Sequence, residues 1–269
     1  MSNWTLNNLL EWIKGGTKSI PNVKKLEIGS SCQLNYLPIE IYKLDLLETL
    51  IIKYNHISSI SEQIEKLVNL KKIILYQTSI KEITKNIFKL VNLEYFEIND
   101  CPIIEIPNSI VQLSKLETLK INYTRIEELP KNFDKLQNLV TIDFSFNNLK
   151  FLPNSIGLLK NVKTLNLKEN ELDYLPNTLC NMEKLEELIC NDNCLRFLPD
   201  GLDNLTNLKI LNCCSNNISL LPYELTKLKL IELTYDNDLI FTNTINLLKY
   251  LSDNSKICKE YLKKRKLDE

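Results

Sequence analysis

The sequence predicts an α/β solenoid, with a parallel β-sheet on one side, short helical or 3₁₀ segments on the other, and a helical cap at each end. Two observations carry this expectation. An apolar pattern with a 23-residue period runs from Val23 to Leu239, and a period of that length marks stacked supersecondary units. Within each unit the apolar spacing changes from two to three, so one half reads as strand and the other as helical turn. The expected organisation is a capping helix over residues 1–22, about ten repeats over 23–240, and a helical cap with a basic tail over 241–269, in a single structural domain.

At the N-terminus, Leu6, Leu9, Leu10 and Ile13 fall on one face of a helix, and Gly15-Gly16 would end it. Trp4 or Trp12 would cover the first strand, because an uncapped solenoid exposes its core and a bare strand edge. A membrane-surface helix is the competing reading, but Lys14 is its only basic residue. The repeats begin at Val23, Leu47, Leu70, Leu93, Leu116, Leu139, Val162, Leu185, Leu208 and Leu230. The fourth and sixth positions point inward, as in Leu165-Asn166-Leu167, and predict a strand. Leu175, Leu179, Met182 and Leu185 then follow at three- and four-residue spacing and predict a short helical return. Pro38, Pro107, Pro130, Pro153, Pro176, Pro199 and Pro222 stand at the turn into it, where a missing backbone donor is tolerated. Ser61 and Thr84 replace Pro in the second and third repeats. At the C-terminus Ile245, Leu248, Leu251 and Tyr261 predict a second helical cap. The run Lys263-Lys264-Arg265-Lys266 reads either as a nuclear-localisation patch or as a solvated helix end.

The clearest copy is Leu139-x-x-Ile142-x-Phe144-x-x-Asn147-x-Leu149-x-x-Leu152-Pro153-x-x-Ile156-x-x-Leu159. It resembles the leucine-rich repeat family in its typical intracellular form, over about four-fifths of the chain. The resemblance implies a horseshoe with a concave parallel sheet and a role in protein–protein interaction. It also implies partner classes that include small GTPases, phosphatases and ubiquitin-ligase components, among which no residue selects.

The ninth repeat position carries Asn55, Thr78, Cys101, Thr124, Asn147, Asn170, Asn193 and Asn216. A short polar side chain recurring there can satisfy backbone groups that the turn after each strand leaves buried. A structural ladder is therefore expected, softer at Thr78, Cys101 and Thr124.

Composition excludes several functions. With 33 Lys and Arg against 34 Asp and Glu, no global field draws nucleic acid or a membrane. No apolar run is long enough to span a bilayer, and the start Met-Ser-Asn-Trp-Thr lacks the features of a signal peptide. Cys190 and Cys213 occupy inward strand positions, so they read as small hydrophobes of a reducing compartment. The expected location is cytoplasmic, with nuclear import through the Lys263–Lys266 run as the alternative. With Cys214 on the opposite strand face, the cluster Cys190, Cys194, Cys213, Cys214 cannot converge on zinc. His56 is the lone histidine, so no histidine-based nucleophile or metal site is available. Neither enzyme nor cofactor is expected.

The third, fifth and seventh positions should face outward on the concave side, with the eighth at its rim. Ile51 and Ile74 then stand exposed on adjacent strands beside Tyr54, Tyr76 and Tyr95, and Tyr123 and Phe146 continue the rim. Lys25, Lys53 and Lys72 lie toward one end, and Glu169, Glu187 and Asp192 toward the other. Such a patch has the composition of a protein-binding surface, yet the same residues could simply stabilise the sheet. The expected function is a monomeric interaction module or scaffold binding an unidentified protein. The alternatives are a structural or self-associating repeat protein and, less favoured, a metalloprotein or enzyme.

Overall fold

The computed structural model describes residues 2–16, 19–29, 34–236 and 258–261. The chain divides into two compact units, Met1–Leu139 and Val140–Glu269.

The first unit opens with strand β1 (Ser2–Thr5) and helix α1 (Leu6–Lys14), followed by strands β2 (Val23–Ile28), β3 (Thr49–Lys53), β4 (Lys72–Tyr76), β5 (Tyr95–Asn99) and β6 (Thr118–Asn122). All are parallel neighbours in chain order. The register follows the period, pairing Leu50 with Ile73 and Ile73 with Phe96. These alternate positions are fully buried, together with Phe88 and Phe133 from the return segments.

The cap differs from a bare helix. β1 pairs with β2, Trp4 opposite Leu26, so the edge of the first repeat strand is covered by backbone. Thr5 then starts α1, where the Asn8 side chain accepts hydrogen bonds from the Thr5 backbone N–H and hydroxyl at 3.0 and 2.9 Å. Leu6 and Leu9 bury the inner face, and Gly15 and Gly16 donate to the Glu11 and Ile13 carbonyls. Gly16 has φ +82°, the conformation a glycine stop supplies. Trp4 and Trp12 pack edge-to-face at 6.0 Å.

The second unit contains strands β7 (Thr141–Asp143), β8 (Thr164–Asn166), β9 (Glu187–Ile189), β10 (Ile210–Asn212), β11 (Glu232–Asp236) and β12 (Cys258–Tyr261), again parallel neighbours. Tyr261 lies in β12 opposite Asp236, which corrects its assignment to a helical cap. Ile245, Leu248, Leu251 and Lys263–Lys266 lie outside the described residues. Asp236 is itself informative. In earlier repeats the eighth- and ninth-position N–H groups donate to carbonyls one repeat on, as Asp192 and Asn193 do to Cys214 and Ser215. For Ser215 and Asn216 the buried Asp236 carboxylate accepts instead, at 2.7 and 3.1 Å.

The return segments are short 3₁₀ helices such as Asn108–Gln112 and Asn154–Leu158. Pro38, Pro107, Pro153, Pro176 and Pro222 each directly precede one. Where Ser61 replaces Pro, its hydroxyl accepts from the Gln63 N–H at 3.3 Å. A second asparagine column, unremarked in the sequence, closes each return. Asn69, Asn92, Asn138 and Asn207 donate to the carbonyls of Asp45, Val68, Ser114 and Glu183 one repeat back, at 2.7–2.9 Å.

Candidate functional site

The strand exits position every candidate side chain. At the eighth position Tyr54, Gln77, Asp100, Tyr123, Phe146, Glu169, Asp192 and Ser215 are all left-handed, with φ between 48° and 58°. This column was not legible as such, because Tyr, Phe and Glu are not residues that announce φ above zero. The turn continues the ladder beyond the strand: Tyr54 N–H donates to the Tyr76 carbonyl at 2.9 Å, and Gln77 N–H to the Asn99 carbonyl at 2.8 Å. It also sets the ninth side chain inward. Asn55, Thr78, Cys101, Thr124, Asn147, Asn170, Asn193 and Asn216 are all buried. Asn193 shows the full pattern. Its amide donates to the carbonyls of Leu167, Cys190 and Asn191 and its oxygen accepts from the Leu172 N–H, at 2.9–3.2 Å. Thr78 instead meets Cys101 Sγ at 3.1 Å.

In the first unit the outward face gathers most of the expected patch. Tyr54 and Tyr76 pack edge-to-face at 5.2 Å, and this neighbour raises the Tyr76 phenol above its usual range. Lys72 Nζ lies 3.8 Å from the centre of the Tyr95 ring, a cation–π contact, and the Tyr95 hydroxyl donates to the Glu97 carboxylate. Gln77 donates to Asp100 at 2.7 Å. Tyr54 and Tyr123 are 51% and 50% exposed. In the second unit Phe146 is half-buried under Lys168, whose Nζ is 5.1 Å from the ring centre.

Two outward assignments need correction. Ile51 is 6% exposed, held between Glu27 and Ile74 of the neighbouring strands, whereas Ile74 is half-buried. The seventh position is often inward-tucked: Asn122, Ser145, Asn191 and Cys214 are buried. The Ser145 hydroxyl bonds Asp143 and Cys214 Sγ bonds Asn212, each the last residue of the strand, two positions earlier, at 2.8 and 3.2 Å. Charge is also more local than the sequence columns imply. Lys25 and Lys53 both pair with Glu27, at 3.2 and 3.6 Å, and Glu169 pairs with Lys168 at 3.4 Å.

The cysteine cluster is buried apart from the half-exposed Cys194. Burial pushes the Cys190 thiol up to about 12 and Cys214 to about 11, and Cys213 is raised as well. Cys190 and Cys213 point their sulfurs at the Asn212 and Thr234 carbonyls. A neutral thiol directed at backbone acceptors is a packing group.

A profile described as a leucine-rich repeat region matches residues 77–149. Over those residues the chain carries leucine-rich repeats, and its fold is the leucine-rich-repeat fold. No curated protein matches it in sequence. Among solved structures, a leucine-rich-repeat protein of Leptospira interrogans is similar, with TM-score 0.71 and 25% identity over 97% of this chain and 70% of that one. An internalin of Listeria monocytogenes aligns with TM-score 0.65 and 21% identity over 83% of this chain and 66% of its own, a likeness of fold alone. The ectodomain of the Arabidopsis thaliana receptor kinase GASSHO1/SCHENGEN3, solved in complex with CASPARIAN STRIP INTEGRITY FACTOR 2, aligns with TM-score 0.63 and 26% identity. This chain covers 28% of that ectodomain's length. Leucine-rich repeats are in general a protein-interaction fold. Among the described residues no helix is long and apolar enough to cross a membrane.

Proposed function

We propose that this leucine-rich-repeat protein is a non-enzymatic interaction module that binds a partner protein on its outward strand face. Tyr54, Tyr76, Tyr95 and Tyr123 of the first unit are its anchors, with Ile74 between them. Ile51 supports the patch from below. The observation that carries this reading is the half-exposed aromatic residues at the left-handed eighth position. An L-residue there costs on the order of 1–2 kcal/mol, and Asn or Asp bears it most easily. Asp100 and Asp192 stand at the same position elsewhere, so bulky rings at Tyr54 and Tyr123 answer a need other than the turn. One observation favours the sheet-stabilising alternative for a single pair, namely the edge-to-face contact of Tyr54 with Tyr76. The free, buried thiols support a reducing, cytoplasmic setting.

The test is a set of affinity captures with wild type and a Tyr54→Asn/Tyr76→Ala/Tyr123→Asn variant, followed by Kd measurement on the recovered protein. The reading expects at least a roughly tenfold loss of affinity with the fold retained. A partner captured equally by both baits would remove this face as the site.

A further inference from the structure

A second surface lies away from the strand face, at the thirteenth repeat position, just before each Leu-Pro step. In repeats six to nine of the second unit this column is Phe151, Tyr174, Phe197 and Leu220, exposed by 42, 45, 56 and 41%. The same column in repeats three to five is Glu82, Glu105 and Glu128, so the change from acidic to apolar is not a requirement of the repeat. Between Tyr174 and Phe197 the stripe opens into a shallow cavity of about 360 Å³, with Leu175 and Pro176 also in its lining and no charged side chain among its walls.

We propose that this stripe docks an extended, proline-rich segment of a partner protein, with a proline ring in the slot between Tyr174 and Phe197. It is independent of the strand-face reading. Size decides against a second copy of the chain: four half-exposed side chains offer roughly 400 Å², about half of what a standard interface buries per partner. The absence of charge in the slot removes phosphate or acidic-motif recognition. Strand addition needs a free sheet edge, and this column lies in the loop after the strand. The remaining mode is a polyproline II segment against aromatic rings. Such a segment has solvated carbonyls and few N–H groups, so it asks for donors. The Tyr174 hydroxyl has no hydrogen-bond partner among the described residues and sits at the slot. The Asn177 side chain is already committed to Asp200, and the Thr178 hydroxyl to the Asn154 carbonyl. Three repeat steps of about 4.8 Å correspond to about five residues at 3.1 Å each.

The test is fluorescence anisotropy of a labelled deca-proline peptide, with a Gly-Ser decapeptide as control, against the full chain. The variants are Phe197→Ser, Tyr174→Phe and Tyr123→Asn, each checked by thermal melting, with sedimentation run in parallel. The proposal expects the proline peptide to bind at least tenfold more tightly than the control. Phe197→Ser should abolish that preference, Tyr174→Phe weaken it, and Tyr123→Asn leave it intact. Equal binding of both peptides, or a preference that survives Phe197→Ser, would overturn it. So would a dimer that Phe197→Ser dissociates, since the stripe would then be occupied by a second copy.

Discussion

The Asn170 side chain serves four backbone groups, donating to the carbonyls of Phe144, Leu167 and Lys168 and accepting from the Leu149 N–H at 2.9–3.3 Å. Two of these belong to the preceding repeat, so one amide both closes its own turn and fastens it to its neighbour. Asn170→Ala would leave buried groups unpaired, and urea denaturation should show a loss of about 1–3 kcal/mol. Gly157 is constrained from the opposite side. A Cβ there would stand 1.9 Å from the Thr178 carbonyl oxygen, so Gly157→Ala must displace backbone. It should lower the melting temperature, at a cost of at least about 1–3 kcal/mol. Nothing in the repeat pattern marks this glycine, because the close approach comes from the next repeat.

Between elements, charge works through triads at the second repeat position. Glu48 lies between Lys24 and Lys71 at 2.6 and 3.2 Å, and hydrogen bonds from these lysines lower its pKa. Glu186 bridges Lys163 and Lys209, whose hydrogen bonds depress its carboxyl to about 2. A depressed carboxylate stabilises the fold above its unfolded pKa, and that contribution is lost as pH falls toward the folded value. Stability of the wild type should therefore drop between about pH 4.5 and pH 2 more steeply than that of Glu186→Gln, in denaturation midpoints measured across that range; exposure and salt keep the effect small. The strands and 3₁₀ returns were legible because period and apolar alternation are local properties. The ends were not. β1 is a four-residue strand whose only evidence is its partner β2, and the role of Asp236 shows only in the N–H groups of Ser215 and Asn216 that its carboxylate accepts from.

For the whole chain, the sequence placed the buried columns well and the exposed ones less well. Inward positions are set by the period, whereas exposure depends on how neighbouring repeats cover each other, as with Ile51, or on a side chain folding back along its strand, as with Cys214. The thiols provide a test of that burial. Among the described cysteines, half-exposed Cys194 should alkylate first under native conditions, while Cys190 and Cys213, buried and raised, should react only on unfolding. Mass spectrometry of timed iodoacetamide labelling reads the order. The central claim is that the aromatic residues of the eighth position bind and are not there for the fold, and Tyr123→Asn tests it most directly by paired measurement of melting temperature and partner Kd. The account predicts a melting temperature unchanged or raised, because Asn suits φ near 50°, with weaker binding. A lowered melting temperature with affinity intact would contradict it and make Tyr123 a packing residue.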